Sequence, residues 1–437
     1  MNGKAERSAR ELPGSEGKPA GARGEEGTLP WWRFLGPGLL VACAAIGGSH
    51  LVWATRAGAV FGWDLLGLLL VANLVKMPFF LFGQTYTAAT GESLLAGYRR
   101  RSVVYVWIFL GINLLTSVIN VAGVTMLAAA LVPGGVENWW SLPARTAVLL
   151  AVVTLFVGLG RYRWLDRVAK GVIVFLTVLT LVAVLLALRQ GPAAPPDFVG
   201  PAVWTVSGFG FLVLFLGWMP APIDLSAWSS LWMFSRGRET GQLAGTRAAR
   251  WDFYLGYGAT LFMAVCFLAL GALVMFGSGA EFTESGIGFA QQLVGLYAAS
   301  IGPAAADWVL VAAFITMLST SLTCLDGYPR ALAACTVLLR PQAEDRFRRI
   351  HQGWMVVVGL GAVVVVLGFV HNLIVMLSFA AYVSFLTSPL LAWINFRVMH
   401  NDVVPEEERP HGWIRLLSYA GLLFLGGMAI GFLWIQG

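Results

Sequence analysis

Two short runs in this 437-residue chain carry residue types that can handle an ion away from water: Gly47-Gly48-Ser49-His50 and Met219-Pro220-Ala221-Pro222. Glycine inside a helix costs about 1 kcal/mol relative to alanine and leaves the backbone free to unwind. Two prolines separated by one residue cannot both continue a helix, because each removes a donor and clashes with the preceding turn. Both suit the first turn of a new helix, where amide donors are unsatisfied anyway. Each run therefore interrupts a helix. A Gly-Gly-Ser run entering a half-helix presents amide N–H groups at the positive end of a helix dipole, an arrangement that receives anions. His50 adds a donor, or a full charge when protonated. As metal ligands, His50 and Met219 alone make a poor cage, since a dication wants carboxylates, carbonyls or imidazoles in place of its water. The pattern points to a small anion, with bicarbonate or a small carboxylate leading, moved together with a cation such as sodium or a proton. The alternative is a divalent metal cation, Mg2+ or Mn2+; Mg2+ kept largely hydrated needs fewer protein ligands.

The elements that position these runs are membrane helices. The chain is 58% hydrophobic and 12% charged, with a mean hydropathy of +0.74, so it cannot cover itself with polar surface as a soluble domain does. Apolar runs long enough to cross the hydrocarbon recur at 34–55, 63–90, 103–132, 144–160, 165–188, 203–234, 253–277, 303–337, 353–370, 371–396 and 413–436, which makes eleven spans in an all-α membrane protein. Tryptophans at the ends of these runs (Trp31, Trp32, Trp63, Trp107, Trp139, Trp140, Trp164, Trp251, Trp413) suit interfacial anchoring. Cys43, Cys266, Cys324 and Cys335 lie inside apolar segments without metal-ligand spacing and read as packing residues.

Residues 1–32 are polar, lack an apolar signal-peptide core and read as a disordered cytoplasmic tail. Residues 33–437 read as a single transport domain, with 33–189 as a first repeat, 200–396 as a second and 413–436 as an extra helix. Spans one and six then open the two halves, and matched interruptions in two halves point to a binding site at the membrane midplane. Packing kinks are the other reading of such Gly and Pro residues. Arginines gather in alternate loops (Arg99–Arg101; Arg161, Arg163; Arg236, Arg238, Arg247, Arg250; Arg346, Arg348, Arg349; Arg397, Arg409), whereas the opposite loops hold Arg56, Arg145 and Arg189. That asymmetry places the N-terminus in the cytoplasm of a plasma-membrane protein. The basic residues are dispersed, which argues against a nucleic-acid partner. The expected partners are the lipid bilayer and a small inorganic ion; the oligomeric state is left open.

Gly36-Pro37 opening span one, Ala57-Gly58-Ala59 after it, Asn73-Leu74 and Ala89-Thr90-Gly91 along span two, Met219-Pro220 in span six and Leu318-Ser319-Thr320-Ser321 in span eight resemble the Nramp family of divalent-metal transporters. The resemblance runs from about Gly36 to the C-terminus and implies a LeuT-type 5+5 inverted repeat with discontinuous helices one and six. The departures are equally specific. Gly47-Gly48-Ser49-His50 replaces the family's metal-binding Asp-Pro-Gly-Asn, Ala221 replaces the His of Met-Pro-His, a further family His falls near Ser226, and Ser117 to Gly123 lacks the family's acidic proton route. By the same resemblance, Thr320 and Ser321 become ligands for a sodium coupling ion; no other cofactor is implied. Hydroxyls bonded to the carbonyl four residues back are the alternative.

Further polar residues lie inside the spans. Lys76, in the middle of span two, either faces the pathway, snorkels, or pairs with an acid such as Asp224. Asp224 could bind a coupling cation, pair with Lys76 or cap the second half of span six. Asn120, Ser378, Tyr382 and Ser384 are pathway candidates, and Phe379 stands where it would make the site drier. A channel fits interrupted helices less well than alternating access does. An enzyme finds no support: there is no HExxH, no paired-carboxylate motif and no nucleophile with a base.

Overall fold

The structure is a computed structural model that describes residues 31–133, 140–159, 162–279, 283, 286–368 and 373–436, so residues 1–30 of the expected tail lie outside it, as do Trp139 and His371. Among the described residues every regular element is helical. The first span comprises α1 (Pro37–Ala45), then a π-helical stretch over Ser49–Ala54 that runs into α2 (Thr55–Phe61). Next come α3 (Leu66–Thr90), the short α4 (Leu94–Arg101), α5 (Val103–Ala130), α6 (Leu142–Gly158) and α7 (Tyr162–Gln190). The sixth span is split into α8 (Val206–Trp218) and α9 (Leu225–Thr240). The rest comprises α10 (Thr246–Val274), α11 (Gly286–Ile301), α12 (Ala306–Leu339), α13 (Phe347–Gly368), α14 (Leu373–Val398) and α15 (Gly412–Gln436).

Among the described residues, eight helices (α3, α5, α7, α10, α12, α13, α14 and α15) are long and apolar enough to cross a bilayer, and the two parts of span one, bent by 49°, make a ninth. The two shorter apolar helices, α6 with 17 residues and α8 with 13, fall below that length. The expected total of eleven requires both of these to cross as well. Two helices went unforeseen: α4 lies in the stretch between spans two and three, and α11 in that between spans seven and eight, both of which read as loops.

Large apolar side chains face outward along the helices, as in Leu70, Val71 and Leu74 of α3 and Leu423 and Ile430 of α15. That is the surface lipid covers. Trp63, Trp107, Trp140, Trp251 and Trp413 are exposed, as interfacial anchors are. The four cysteines are buried and form no disulfide.

Span one is held against α10 by small residues. A Cβ on Gly58 would meet the backbone of Leu268 and Ala272, one on Gly271 the backbone of Thr55 and Ala59, and one on Gly256 the backbone of Gly38. Backbones this close are typical of membrane helix pairs joined through glycine. At the start of α1, the Asp252 carboxylate of α10 accepts from Gly36 N (2.9 Å) and Gly38 N (2.5 Å), satisfying amides that a helix start leaves without partners. Both halves of span one are thereby fixed to one long helix, with the glycine pair between them.

Candidate functional site

In span one the helical ladder ends where Ile46 N donates to Ala42 O (2.8 Å), and it restarts where Leu51 N donates to Gly47 O (2.9 Å). The break covers residues 46–48, one position earlier than expected, and leaves the Gly48 and Ser49 amides in the donor-rich first turn of the second half. Span six breaks between Trp218 and Leu225, with a cis peptide at Met219–Pro220. The two breaks are adjacent: a Cβ on Gly48 would lie 2.9 Å from the Trp218 ring. Trp218 Nε1 in turn donates to Ser384 Oγ of α14 (3.3 Å).

Lys76 of α3 is fully buried, and its ammonium donates to three carbonyls of the span-six break: Leu216 O (3.0 Å), Met219 O (2.8 Å) and Ala221 O (3.2 Å). Three N–H donors meet three acceptors, so the ammonium is fully satisfied. Neither the snorkelling expected for Lys76 nor its pairing with Asp224 occurs. A cation at the C-terminal end of α8 also complements that helix's dipole.

Asp224 opens α9 at the opposite edge of the break and is 2% exposed. Its Oδ2 accepts from Thr116 Oγ1 of α5 (3.3 Å), whereas Oδ1 makes no hydrogen bond among the described residues. Its side chain makes no capping hydrogen bond to the first turn, although its charge sits at the positive end of α9. Asn120 Nδ2 donates to Tyr328 OH, and Asn113 Nδ2 donates to Tyr328 O (3.3 Å), which ties α5 to α12 beside this carboxylate.

His50 differs most from its expected role. Nε2 meets Thr260 O of α10 (2.9 Å), and Nδ1 meets Ser49 Oγ (2.7 Å) and Ala45 O (3.0 Å). With the proton on Nε2, the ring donates to Thr260 O, and the single Ser49 hydroxyl proton goes either to His50 Nδ1 or to Ala45 O. Ser49 Oγ also lies 2.6 Å from Ala45 O. Both nitrogens are engaged, so in this arrangement His50 offers no donor to a bound ion. It ties span one to span seven.

Thr320 of α12 lies against the break in span one. Its Oγ1 is 3.1 Å from Cys43 O, 3.4 Å from Ile46 O and 3.2 Å from Thr316 O. A Cβ on Gly47 would stand 2.9 Å from that hydroxyl. Ser321 Oγ bonds back to Met317 O (2.9 Å). Four oxygens, three of them backbone carbonyls, thus converge where the C-terminal end of α1 meets α12. Ser378 bonds back to Ile374 O (2.7 Å), and Tyr382 stacks on Phe432 of α15. Neither reaches the breaks, whereas Ser384 does. Phe379 is 47% exposed on the outer face, so it does not dry the site. Ser226 accepts from Asn395 Nδ2 of α14 (2.9 Å). No group of three or more His, Cys, Asp or Glu side chains able to hold a metal occurs among the described residues.

Sequence reasoning missed Trp218, Thr116, Tyr328, Asn395 and the buried acids Asp252 and Asp326. The acids carried a signal, because ionisable residues inside apolar spans are rare. Asp326 pairs with Arg330 (2.6 Å) and accepts from Trp232 Nε1 of α9 (2.9 Å). The remaining four are common residue types whose roles come from helix packing.

Two discontinuous helices lying side by side, each half ending in open carbonyls or amides, define a secondary transporter of the LeuT-type fold. The comparisons narrow the class. The family model described as Natural resistance-associated macrophage protein-like matches residues 38–435, and the chain belongs to this Nramp family of transporters. The uncharacterized protein PM0681 of Pasteurella multocida (strain Pm70) is 36% identical over 402 residues, covering 91% of each chain. Among solved structures, a mutant of the Eremococcus coleocola manganese transporter aligns with a TM-score of 0.65 at 16% identity, covering 95% of this chain and 88% of that one. MhsT in complex with L-phenylalanine aligns at 0.57 and 14% identity, covering 91% and 97%. At these identities the solved structures establish the fold. None of the likenesses supports the anion expected from the sequence.

Proposed function

We propose that the chain is a transporter of a divalent metal cation, Mg2+ or Mn2+. One observation carries the reading: the carbonyls of Leu216, Met219 and Ala221 converge on one point at the span-six break, where the Lys76 amine meets them. Carbonyl oxygens suit Mg2+ and Mn2+. The N-terminus of α9, where an anion would gain from the dipole, already holds the Asp224 carboxylate. The likeness to a manganese transporter is in keeping with this reading. Sodium as coupling ion is supported by the oxygens of Thr320, Cys43 and Ile46. The arginine asymmetry supports a cytoplasmic N-terminus in the plasma membrane.

Bicarbonate or a small carboxylate is the second reading, favoured by the Gly48 and Ser49 amides that open the second half of span one with no acidic residue in the run. Proteoliposomes holding a divalent-metal dye or a pH dye, challenged with Mn2+, Mg2+ and bicarbonate with and without a sodium gradient, separate the two. Mn2+ or Mg2+ entry is expected. Bicarbonate-driven change of internal pH without metal entry would overturn the metal reading.

A further inference from the structure

Lys76 places a side-chain amine on the carbonyls that a transported cation would use. Its Nζ sits 2.8–3.2 Å from all three oxygens, and no acidic side chain lies within ion-pair distance of it among the described residues. It is fully buried, and its four-carbon stem reaches from α3 across to the span-six break. An unpaired ammonium is costly inside a membrane protein unless its donors are satisfied, and here only backbone oxygens satisfy them. The carbonyls depend on the lysine in turn. Leu216 O lies in the last turn of α8, and Met219 O and Ala221 O lie in the unwound segment, where the α-helical pattern gives them no amide partners.

We propose that the Lys76 ammonium is the tethered resident of a cation position in the span-six break, and that a transported cation must displace it to use the same three carbonyls. The proposal rests on the reading of the chain as a cation transporter, and it assigns Lys76 as a specificity-determining residue. Oxygens 2.8–3.2 Å from a centre hold an ammonium, whereas Mg2+ requires about 2.0–2.1 Å. A dication therefore gains these ligands only if the lysine leaves and the break closes around it. Like-charge repulsion from the resident also selects against weakly binding cations.

The test uses the purified full-length protein with Lys76→Ala and Lys76→Met, read by melting temperature against Mn2+, Mg2+ and methylammonium, because a ligand that binds only the folded state stabilises it in proportion to occupancy. With the resident removed, half-maximal stabilisation is expected at a concentration at least tenfold lower than in the wild type for Mn2+ or Mg2+, with methylammonium competing. Stabilisation by methylammonium alone would support the cation position while removing the divalent-metal reading. If neither variant gains affinity for any of the three, the proposal is overturned. Should both variants fail to fold, the wild type is treated with an amine-dimethylating reagent and Lys76 modification is read by mass spectrometry. A several-fold rise with Mn2+ or Mg2+ is expected; unchanged protection of Lys76 overturns the proposal.

Discussion

Thr320 shows how much one hydroxyl can be asked to do. It has a single proton and three carbonyls within 3.1–3.4 Å of its oxygen, so it can donate to only one of them at a time. If sodium sits there, Thr320→Ala with Ser321→Ala should reduce sodium stimulation of uptake by at least tenfold and leave the melting temperature nearly unchanged. Unaltered sodium dependence in the double variant would leave the hydroxyls a packing role. Ser321 bonds back to Met317 O, so it must release that bond to contribute, and Thr320→Ala alone should account for most of the loss. His50 illustrates the converse: an imidazole with both nitrogens engaged on Ser49 and Thr260 is a strut.

At the scale of elements, both half-helices of span one owe their placement to α10. The Asp252 carboxylate holds the start of α1, and Gly58 and Gly271 let α2 approach α10 until backbone meets backbone. Gly58→Val has nowhere to put its side chain without moving one helix, and overpacking of this kind typically costs about 1–3 kcal/mol. Thermal unfolding in detergent should therefore show a clearly lowered midpoint and lost uptake. The matched control is Gly67→Val, at a position with open space around the added Cβ, which should unfold close to the wild type. Equal midpoints for the two variants would mean that α2 and α10 are not held by this contact. The same logic explains why the breaks stay at fixed positions: Gly47 backs onto Thr320 and Gly48 onto Trp218, so neither glycine tolerates bulk.

For the whole molecule, orientation follows from charge. Asp197, in the loop between α7 and α8, and Arg348, at the start of α13, are both exposed and lie in loops expected on opposite sides. A membrane-impermeant thiol reagent applied to intact cells should label Asp197→Cys and spare Arg348→Cys, because the native cysteines are buried. The reverse pattern would invert the assigned topology. The sequence alone determined that this is a membrane protein and that spans one and six break, because bilayer length, Gly-Gly and Pro-x-Pro are local constraints on a helix. The family was legible for the same reason, through short motifs in fixed order. Tertiary structure alone decided which charges meet. Residue 76 and residues 216–221 are joined only by how α3 is rotated against span six, and His50 points at Thr260 for the same kind of reason. A buried polar group takes whatever partner the neighbouring helix presents, and the rotation that selects that partner is set by the packing of many apolar and glycine contacts at once.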